Sequence, residues 1–594
     1  MKKIIYGLAL AAVTLASCSD FLDKEPSNKL DAGKFFANES ELALYANGLY
    51  VYMIPSAEDL TNSGSGTCDY LATSTTSSLL MPDFNADKMS GWTYSAWTNL
   101  YRCNYFLKNI DKAAATTDVA TLNHYRGVAK FWRAYFYFDK VKTYGNLPWY
   151  SEPIDAGDSI QLYKERDSRE VIMDSVLQDI NYACKYIRGG KDELVSRYAA
   201  LALKSRICLF EGTYRKYHAV NPSTNQPWQE TDGVRKYLQA CVDASEELMK
   251  SGEYSLVNTG KPATDYRSLF QSEKPNTTEI IMAREYSADL QSTHNVTQKF
   301  NSAGNDTRRW SPTQDFVNTY LNLDGSRFTD ATDYDKKTFA ENCTNRDYRL
   351  QQSVITPTYI KNMNGTPSRY NATWSVTMTG YQVIKFNMDD TYYEQTSRCS
   401  NAIPIFRYAE ILLNEAEAKA ELGEMDENVW DKTIRPIRER AGVNGKAPAT
   451  ADPYLISYYN NKVTDKWLLE IRRERAIELF FEGGGLRYDD LMRWAEGDML
   501  MKPWNSIYIG SKDVAYDTNG DGVKDLEVVD KKPSSTPSGV FLVDLSKSNY
   551  YTFKDGRLYI TNENSWTDRK YLHPIPKAAL VKNPNLKQNY GWEQ

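Results

Sequence analysis

The chain has 594 residues, of which 25% are charged and 41% are hydrophobic, and its formal net charge is −6 at pH 7. This composition is typical of a globular protein, and the acidic balance argues against nucleic acid as a partner. The unusual feature is the aromatic content, with 43 tyrosines and 13 tryptophans. Such flat, amphipathic rings pack in cores and also suit the binding of carbohydrate or peptide.

The N-terminus has the pattern of an export signal. Two lysines are followed by an apolar run over residues 4–16, and small residues then lead to Cys18. A positive start, a short apolar stretch and small residues at the cleavage point are typical of secretion, and the run is shorter than the about 20 residues of a membrane-spanning helix. Because a cysteine stands at the cleavage point, we predict a lipoprotein signal peptide over 1–17, a lipid anchor on Cys18 and a leash over 18–28. The alternative is an ordinary signal with an incidental cysteine.

Helical periodicity is strong in several blocks downstream, where apolar residues recur three and four positions apart. The predicted helices cover about 122–144, 168–187, 198–217, 234–251, 408–422, 428–441 and 465–482. Most of these blocks end near a glycine, as helices often do. The predicted fold class is therefore mainly α, a tetratricopeptide-like scaffold of helical hairpins without a strict repeat, carrying a loop-rich and partly β region that binds ligand.

The middle of the chain, residues 255–400, differs in character because it is rich in Asn, Thr, Ser, Gly and Tyr. We predict short strands and long loops there, between a helical region at 29–254 and a helical and loop region at 401–594. Long loops in an ordered protein are usually functional. The 255–400 region and the 61–96 loop are therefore the predicted places for a binding site.

Cysteine and histidine usage indicates no metal centre. Seven cysteines remain after Cys18, so at least one thiol is free, and no pair has a zinc or redox spacing. None of the four histidines has a second histidine three or four positions away, which argues against a histidine-rich metal site. The chain also has no P-loop, nucleophile elbow or dinucleotide-binding fingerprint.

A set of motifs follows the chain in a fixed order. They are Ala129–Asp139, Tyr144–Pro148, Arg197–Arg206, Tyr214–Tyr217, Phe406–Glu417, Ile471–Leu479, Arg487–Trp494, Tyr571–Pro576, Asn583–Asn589 and Gly591-Trp592. Together with the lipid-anchor motif, they resemble the SusD/RagB family of outer-membrane nutrient-binding lipoproteins from gut-type Bacteroidetes. The resemblance covers nearly the whole mature chain. One departure is Glu482–Leu486, where three glycines replace the family's usual single glycine and a histidine or lysine.

The resemblance implies a helical, tetratricopeptide-like fold, a variable loop region that binds oligosaccharide or another nutrient, and no catalytic activity. It also implies a partner, a SusC-like TonB-dependent transporter of the outer membrane, over which the lipid-anchored protein lies as a lid on the outer face. The predicted function is the capture of glycan at the cell surface and its delivery to that transporter. Two alternatives stay open: a member that binds peptide or glycoprotein, and a surface glycoside hydrolase with two catalytic carboxylates.

Arginines and glutamates recur on the predicted helix over 472–478, beside Glu415 and Glu417. One interpretation is a set of catalytic carboxylates held by arginines. The other is an ion-pair network between helices, in which guanidinium groups satisfy the carboxylates. We favour the network because the charged residues recur regularly on helices.

The loop Asp517–Asp525 resembles most of a calcium-binding loop. Side chains with oxygen ligands stand at its positions 1, 3, 5 and 9, and these are Asp517, Asn519, Asp521 and Asp525. A glycine stands at position 6, but Val528 replaces the glutamate of position 12. We predict no required cofactor and a candidate structural Ca²⁺ site here. The alternative is a solvated turn in which Asn-Gly and Asp-Gly satisfy the turn geometry.

The loops also carry aromatic side chains suited to stacking on sugar rings, with polar side chains nearby for the hydroxyl groups. The candidate ligand-binding residues are Trp310, Tyr286, Trp92, Trp374, Tyr70, Asp69, Asn295 and Arg308. A single ring of this kind packs in a core more often than it binds ligand. Burial in the folded chain therefore decides which of these candidates are available.

Overall fold

The computed structural model describes residues 35–61, 68–75, 77–191, 193–301, 309–535, 538–561 and 563–593. Cys18, the predicted signal and leash, and Arg308 lie outside these residues. The longer helices are α1 (Glu39–Met53), α2 (Tyr94–Asn109), α3 (Val119–Tyr144), α4 (Arg169–Tyr186), α5 (Arg197–Tyr217), α6 (Gly233–Ser251), α7 (Tyr408–Glu421), α8 (Glu427–Arg440), α9 (Lys466–Glu478) and α10 (Leu486–Arg493). Shorter helical segments are Ala57–Leu60, Ser159–Leu162, Asp265–Ser268, Val296–Asn301, Gln314–Val317, Phe339–Cys343, Tyr348–Ser353, Pro453–Tyr458 and Lys577–Lys582. Within the described ranges, no helix is long and apolar enough to cross a membrane.

These helices confirm the predicted mainly α fold class, and most follow the predicted spans to within a few residues. α3 packs against α4, α5 against α6, and α7 against α8, and α6 also packs on α7. The hairpins therefore stack side by side, as in tetratricopeptide-like proteins. Glycine ends the hairpin helices as predicted: Gly252 and Gly423 have φ values of +69° and +76°, in the left-handed region that other residues rarely adopt.

The strands are short and form small separate sheets. They are β1 (Leu71–Ala72), β2 (Ile280–Arg284), β3 (Ser311–Pro312), β4 (Ile360–Met363), β5 (Thr366–Arg369), β6 (Ile403–Arg407), β7 (Trp504–Asn505), β8 (Ala515–Tyr516), β9 (Leu526–Val529), β10 (Phe541–Asp544), β11 (Tyr551–Lys554) and β12 (Arg557–Ile560). β1 pairs with β3, β2 with β6 and β4 with β5, while β8, β9 and β10 form one three-stranded sheet and β7, β12 and β11 another. Because β1 pairs with β3, the loop before α2 lies against the loop-rich middle of the chain.

A buried ion-pair network holds the C-terminal helices to the middle of the chain. Glu478, at the end of α9, accepts hydrogen bonds from Arg407 (2.6 Å) and Arg349 (2.9 Å), and it also pairs with Arg440. All four side chains are fully or almost fully buried. Burial alone would raise the pKa of Glu478, but the three arginines outweigh it and hold the pKa well below its usual range. Glu478 and its three arginines therefore form an ion-pair network of the kind that the sequence predicts.

The C-terminal residues close the molecule against α3. The Asn589 side-chain amide donates to the Tyr144 carbonyl at the end of α3 (3.0 Å), and its oxygen accepts from Arg166 (2.6 Å). The Trp592 ring donates from Nε1 to the Leu572 carbonyl (3.0 Å) and lies edge-on to Phe84. Asn589 therefore links the end of α3 to the segment just before α4, and so completes the hairpin that these two helices form.

Candidate functional site

Two of the predicted aromatic candidates are core residues. Trp310 is 4% exposed and lies edge-on to Phe481, with ring centroids 5.9 Å apart. Tyr70 is also buried, and its ring stacks on Phe316 at 4.6 Å. Neither ring offers a free face to a sugar, so the structure corrects their assignment from ligand stacking to packing.

Tyr286 and Trp374 are buried as well, and each is held by a hydrogen bond. The Tyr286 hydroxyl accepts from the Ala57 backbone N–H (2.7 Å), and Trp374 donates from Nε1 to the Thr518 hydroxyl (3.1 Å). Their polar atoms therefore serve the fold, because buried tyrosine and tryptophan need such partners. These two predictions are corrected in the same way.

The polar candidates also bond within the protein. Asp69 is buried, pairs with Arg487 (2.6 Å) and accepts from the Tyr458 hydroxyl (2.9 Å). Burial alone would raise its pKa, but Arg487 lowers the pKa below the usual value, so the carboxylate stays ionised and paired. Asn295 is half-buried, and its side-chain oxygen accepts from the Ser397 N–H (2.6 Å).

Trp92 differs from the other aromatic candidates because it is only half-buried and stands two positions before the exposed Tyr94. Its centroid is 5.3 Å from that of Trp97 in the first turn of α2. Tyr94 is 85% exposed and Tyr101 is 41% exposed. Residues seven apart on a helix share a face, so Tyr94 and Tyr101 lie on one side of α2, about 10 Å apart along its axis. We call Trp92, Tyr94, Trp97 and Tyr101 the α2 aromatic face.

Polar side chains of α2 contact Tyr52 of α1, on a different side of α2 from Tyr94 and Tyr101. The Arg102 guanidinium lies 3.7 Å from the centre of the exposed Tyr52 ring and donates to the Asn99 side-chain oxygen (2.7 Å). Asn99 in turn donates to the Tyr52 carbonyl (3.3 Å). The Tyr52 ring beside this amide and this guanidinium therefore combines an apolar ring with polar groups, which is what a sugar chain needs. Tyr52, Trp97 and Tyr101 lie outside the predicted candidates, although the helical spacing of Trp97 and Tyr101 is visible in the sequence.

The Asp517–Asp525 loop folds around its own backbone. Asp517 accepts from the N–H groups of Gly520 (2.7 Å), Asp521 (3.1 Å) and Gly522 (2.7 Å), which lower its pKa although burial opposes them. Asn519 donates to Asp525 (2.8 Å). Burial and the neighbouring aspartates raise the pKa of Asp525 to about 6, although the Thr518 hydroxyl bonded to it acts against them.

In the described part of the chain, no group of three or more His, Cys, Asp or Glu residues is placed to hold a metal ion. The turn alternative therefore accounts for the loop's hydrogen bonds.

The comparison with known families covers both halves of the chain. Residues 278–592 match the model of the SusD family, and residues 36–218 match a second family model described as starch-binding and associating with the outer membrane. The first match alone spans more than half of the chain. The chain belongs to the SusD family.

Similar proteins agree with this assignment to the SusD family. SusD-like protein P38 of Formosa agariphila is 24% identical over 556 residues, which cover 85% of this chain and 95% of the relative. A SusD-like protein of Bacteroides fragilis has the same fold, with a TM-score of 0.66, 22% identity and coverage of 95% of this chain and 98% of its own. A SusD-like carbohydrate-binding protein of the same species gives a TM-score of 0.65 at 20% identity, covering 93% of this chain and 100% of its own. The resemblance predicted from the motifs is therefore confirmed.

Proposed function

We propose that this SusD-family protein is a non-catalytic, lipid-anchored protein of the cell surface that binds oligosaccharide on the α2 aromatic face and delivers it to a SusC-like TonB-dependent transporter. Family membership supports glycan binding. The starch-binding and outer-membrane description of the second matching family supports both the ligand class and the location. The Bacteroides fragilis neighbour described as carbohydrate-binding adds support of the same kind.

The exposed rings of α2 are the observation that carries the proposal. Tyr94 projects almost fully into solvent, which leaves a large apolar surface in water at a cost in free energy. The electron-rich face of a ring attracts the weakly positive C–H groups on one face of a pyranose. Tyr94 and Tyr101 lie along one side of α2, so a linear sugar chain can contact both rings at once.

A lipid on Cys18 is consistent with this arrangement. Phe35 lies 17 positions after Cys18, a length of chain that spans at most about 60 Å. Helix α1 begins shortly afterwards, at Glu39, and packs against α2. The anchor would therefore keep the α2 aromatic face within reach of a transporter in the same membrane.

Affinity electrophoresis in gels that each contain one polysaccharide tests the proposal. We expect the native chain to be retarded by at least one glycan, and the Tyr94→Ala/Tyr101→Ala variant to bind that glycan about tenfold more weakly, because two ring contacts are lost. The control is Tyr163→Ala, which removes a ring of comparable exposure outside α2. Equal retardation of the double variant and the control would contradict the site.

The same preparation separates the alternative functions. Retention of peptides with no response to any glycan would favour a peptide-binding member of the family. Release of reducing sugar from a polysaccharide would favour a hydrolase. The glutamates at positions 474 and 478 are buried and paired with arginines, so they are not placed to reach such a substrate.

The calcium site at Asp517–Asp525 stays a prediction with its own measurement. A cation that binds the folded loop raises the midpoint of thermal unfolding, because it stabilises the native state by mass action. Calcium binding predicts a higher midpoint in millimolar CaCl₂ than in EDTA for the native chain and for Asp555→Asn, but not for Asp517→Asn. Identical midpoints in the two buffers would leave the turn as the sole role of these carboxylates.

A further inference from the structure

A cavity of about 550 Å³ lies between α3, α5, α10 and the glycine turn at 483–485. Its volume falls in the range of about 300–1,000 Å³ that is typical of ligand pockets. None of the residues of the α2 aromatic face lines it. It is therefore a separate feature of the molecule.

The glycine turn shapes one wall of the cavity. Gly484 has a φ of +67° and donates its N–H to the Leu60 carbonyl (2.9 Å). A Cβ atom at this position would lie 2.5 Å from the Asp59 carbonyl oxygen, so the backbone passes too close for any side chain. The turn thus brings bare backbone to the cavity at the place where the sequence departs from the family pattern.

Several polar groups that line the cavity have no partner in the protein. Among the described residues, the hydroxyls of Tyr135 and Tyr488 make no hydrogen bond, and the carboxylate of Asp139 forms no ion pair. Nδ1 of His573 is buried and also lacks a hydrogen bond. Buried polar groups in native proteins are usually bonded, so the unbonded His573 Nδ1, together with the two half-buried tyrosine hydroxyls, gives this cavity hydrogen-bonding capacity that the protein does not use.

The charges around the cavity favour an uncharged ligand over an anion. Asp489 is paired with Lys142 (2.7 Å), and Arg206 is held by Glu410 (2.6 Å). This leaves Asp59 and Asp139 as exposed carboxylates at the opening, without lysine or arginine partners. An anionic group entering there would meet like charges.

The remaining wall is apolar. Phe138, Leu203 and Leu486 are buried side chains that line the cavity. Hydroxyl and carboxylate groups on some sides and hydrocarbon on others match a pyranose, which has hydroxyls around its ring and C–H groups on its faces. Tyrosine hydroxyls can both donate and accept, and Asp139 can accept, so a polyol satisfies them together.

We propose that this cavity is a second binding site, which takes a neutral mono- or disaccharide independently of the α2 aromatic face. The sugar hydroxyls bond to Tyr135, Tyr488 and Asp139, and a C–H face lies on the apolar wall. Sugars with a carboxylate or sulfate group are excluded by the two aspartates at the opening. The site goes beyond the proposed function because a cavity of this volume selects short sugars, whereas an open helix face binds long chains.

Isothermal titration with glucose, galactose, mannose, N-acetylglucosamine, maltose and cellobiose tests this second site, with glucuronic acid as the anionic probe. At least one neutral sugar is expected to bind the native chain, and to bind Tyr94→Ala/Tyr101→Ala equally well. The Tyr135→Phe/Tyr488→Phe variant keeps both rings and loses two hydrogen bonds, so its affinity for that sugar is expected to fall about tenfold. Tyr163→Phe is the matched control, and thermal midpoints verify that each variant folds.

The outcomes separate this site from the proposed function. Loss of polysaccharide binding in the α2 variant, with short-sugar binding intact, supports two independent sites. No heat with any short sugar, or unchanged affinity in Tyr135→Phe/Tyr488→Phe, would overturn the second site and leave the first untouched. Binding of glucuronic acid as tightly as glucose would overturn the stated selectivity.

Discussion

Replacing Glu478 with alanine is expected to lower the free energy of unfolding by about 3–5 kcal/mol, because it leaves three buried arginines without their shared partner. Arg349, Arg407 and Arg440 all bond to this carboxylate in the interior. Each arginine keeps another carboxylate partner, as Glu279 is for Arg407 and Arg440, but the guanidinium N–H groups that bonded Glu478 lose their acceptor where water does not reach them. The folded state therefore loses stability that the unfolded state never had. Urea unfolding followed by circular dichroism measures the difference.

Two further variants define what the carboxylate of Glu478 contributes. Glu439→Ala removes an exposed glutamate from α8 and is expected to change stability by no more than about 0.5 kcal/mol. Glu478→Gln keeps the side chain's shape but removes its charge, and is expected to destabilise nearly as much as alanine. A Glu478→Ala variant as stable as Glu439→Ala would show that the network does not hold the folded chain together.

Trp310→Ala is expected to destabilise the protein by about 3–5 kcal/mol without removing glycan binding from the molecules that remain folded. The ring is enclosed and packs on Phe481, so its removal opens a cavity in the core. Tyr94→Ala serves as the comparison, because that ring is 85% exposed and its loss creates no cavity. Thermal unfolding and affinity electrophoresis on the same samples separate the two effects.

The opposite result would show that Trp310 belongs to the binding site. A Trp310→Ala variant with an unchanged midpoint and a lost glycan response would show that the ring meets ligand in solution. A Tyr94→Ala variant that unfolds much earlier than the native chain would likewise remove Tyr94 from the exposed face.

The helical scaffold could be predicted from the sequence because the signals that specify a helix are local. Apolar spacing along each helix and a glycine at its end act within about one or two turns, as at Gly252 after α6 and Gly423 after α7. The predicted boundaries therefore lie close to the observed ones. The ion-pair network was predicted for a similar reason, since arginine and glutamate recur at helical spacing.

The binding site could not be predicted in the same way, because burial depends on contacts between distant parts of the chain. Tyr286 is held by the backbone of Ala57, 229 positions away. Trp310 is covered by Phe481, and Tyr70 by Phe316. A loop position in the sequence indicates none of these contacts. Burial in the folded chain therefore excluded most of the predicted aromatic candidates.

Glu415 and Glu417 show, within a single helix, that the environment of a side chain cannot be predicted from its residue type. Burial opposes ionisation of Glu417, but Arg493 outweighs it and lowers its pKa to about 2. Glu415, two positions earlier, makes no ion pair among the described residues, and burial raises its pKa to about 8. Two residues of one helix point in different directions, so identical side chains meet opposite environments.

Asn589 has a consequence for how the protein is made. Its amide caps the carbonyl of Tyr144, which the ribosome places in the chain 445 residues earlier. A nascent chain that already contains α1 to α10 still lacks this cap and the Trp592 ring that covers Phe84. Domains generally begin to fold from the N-terminus during synthesis, but the end of α3 gains this cap only after residue 589 has been added. Loss of Asn589 would therefore leave the end of α3 uncapped, 445 positions away in the sequence.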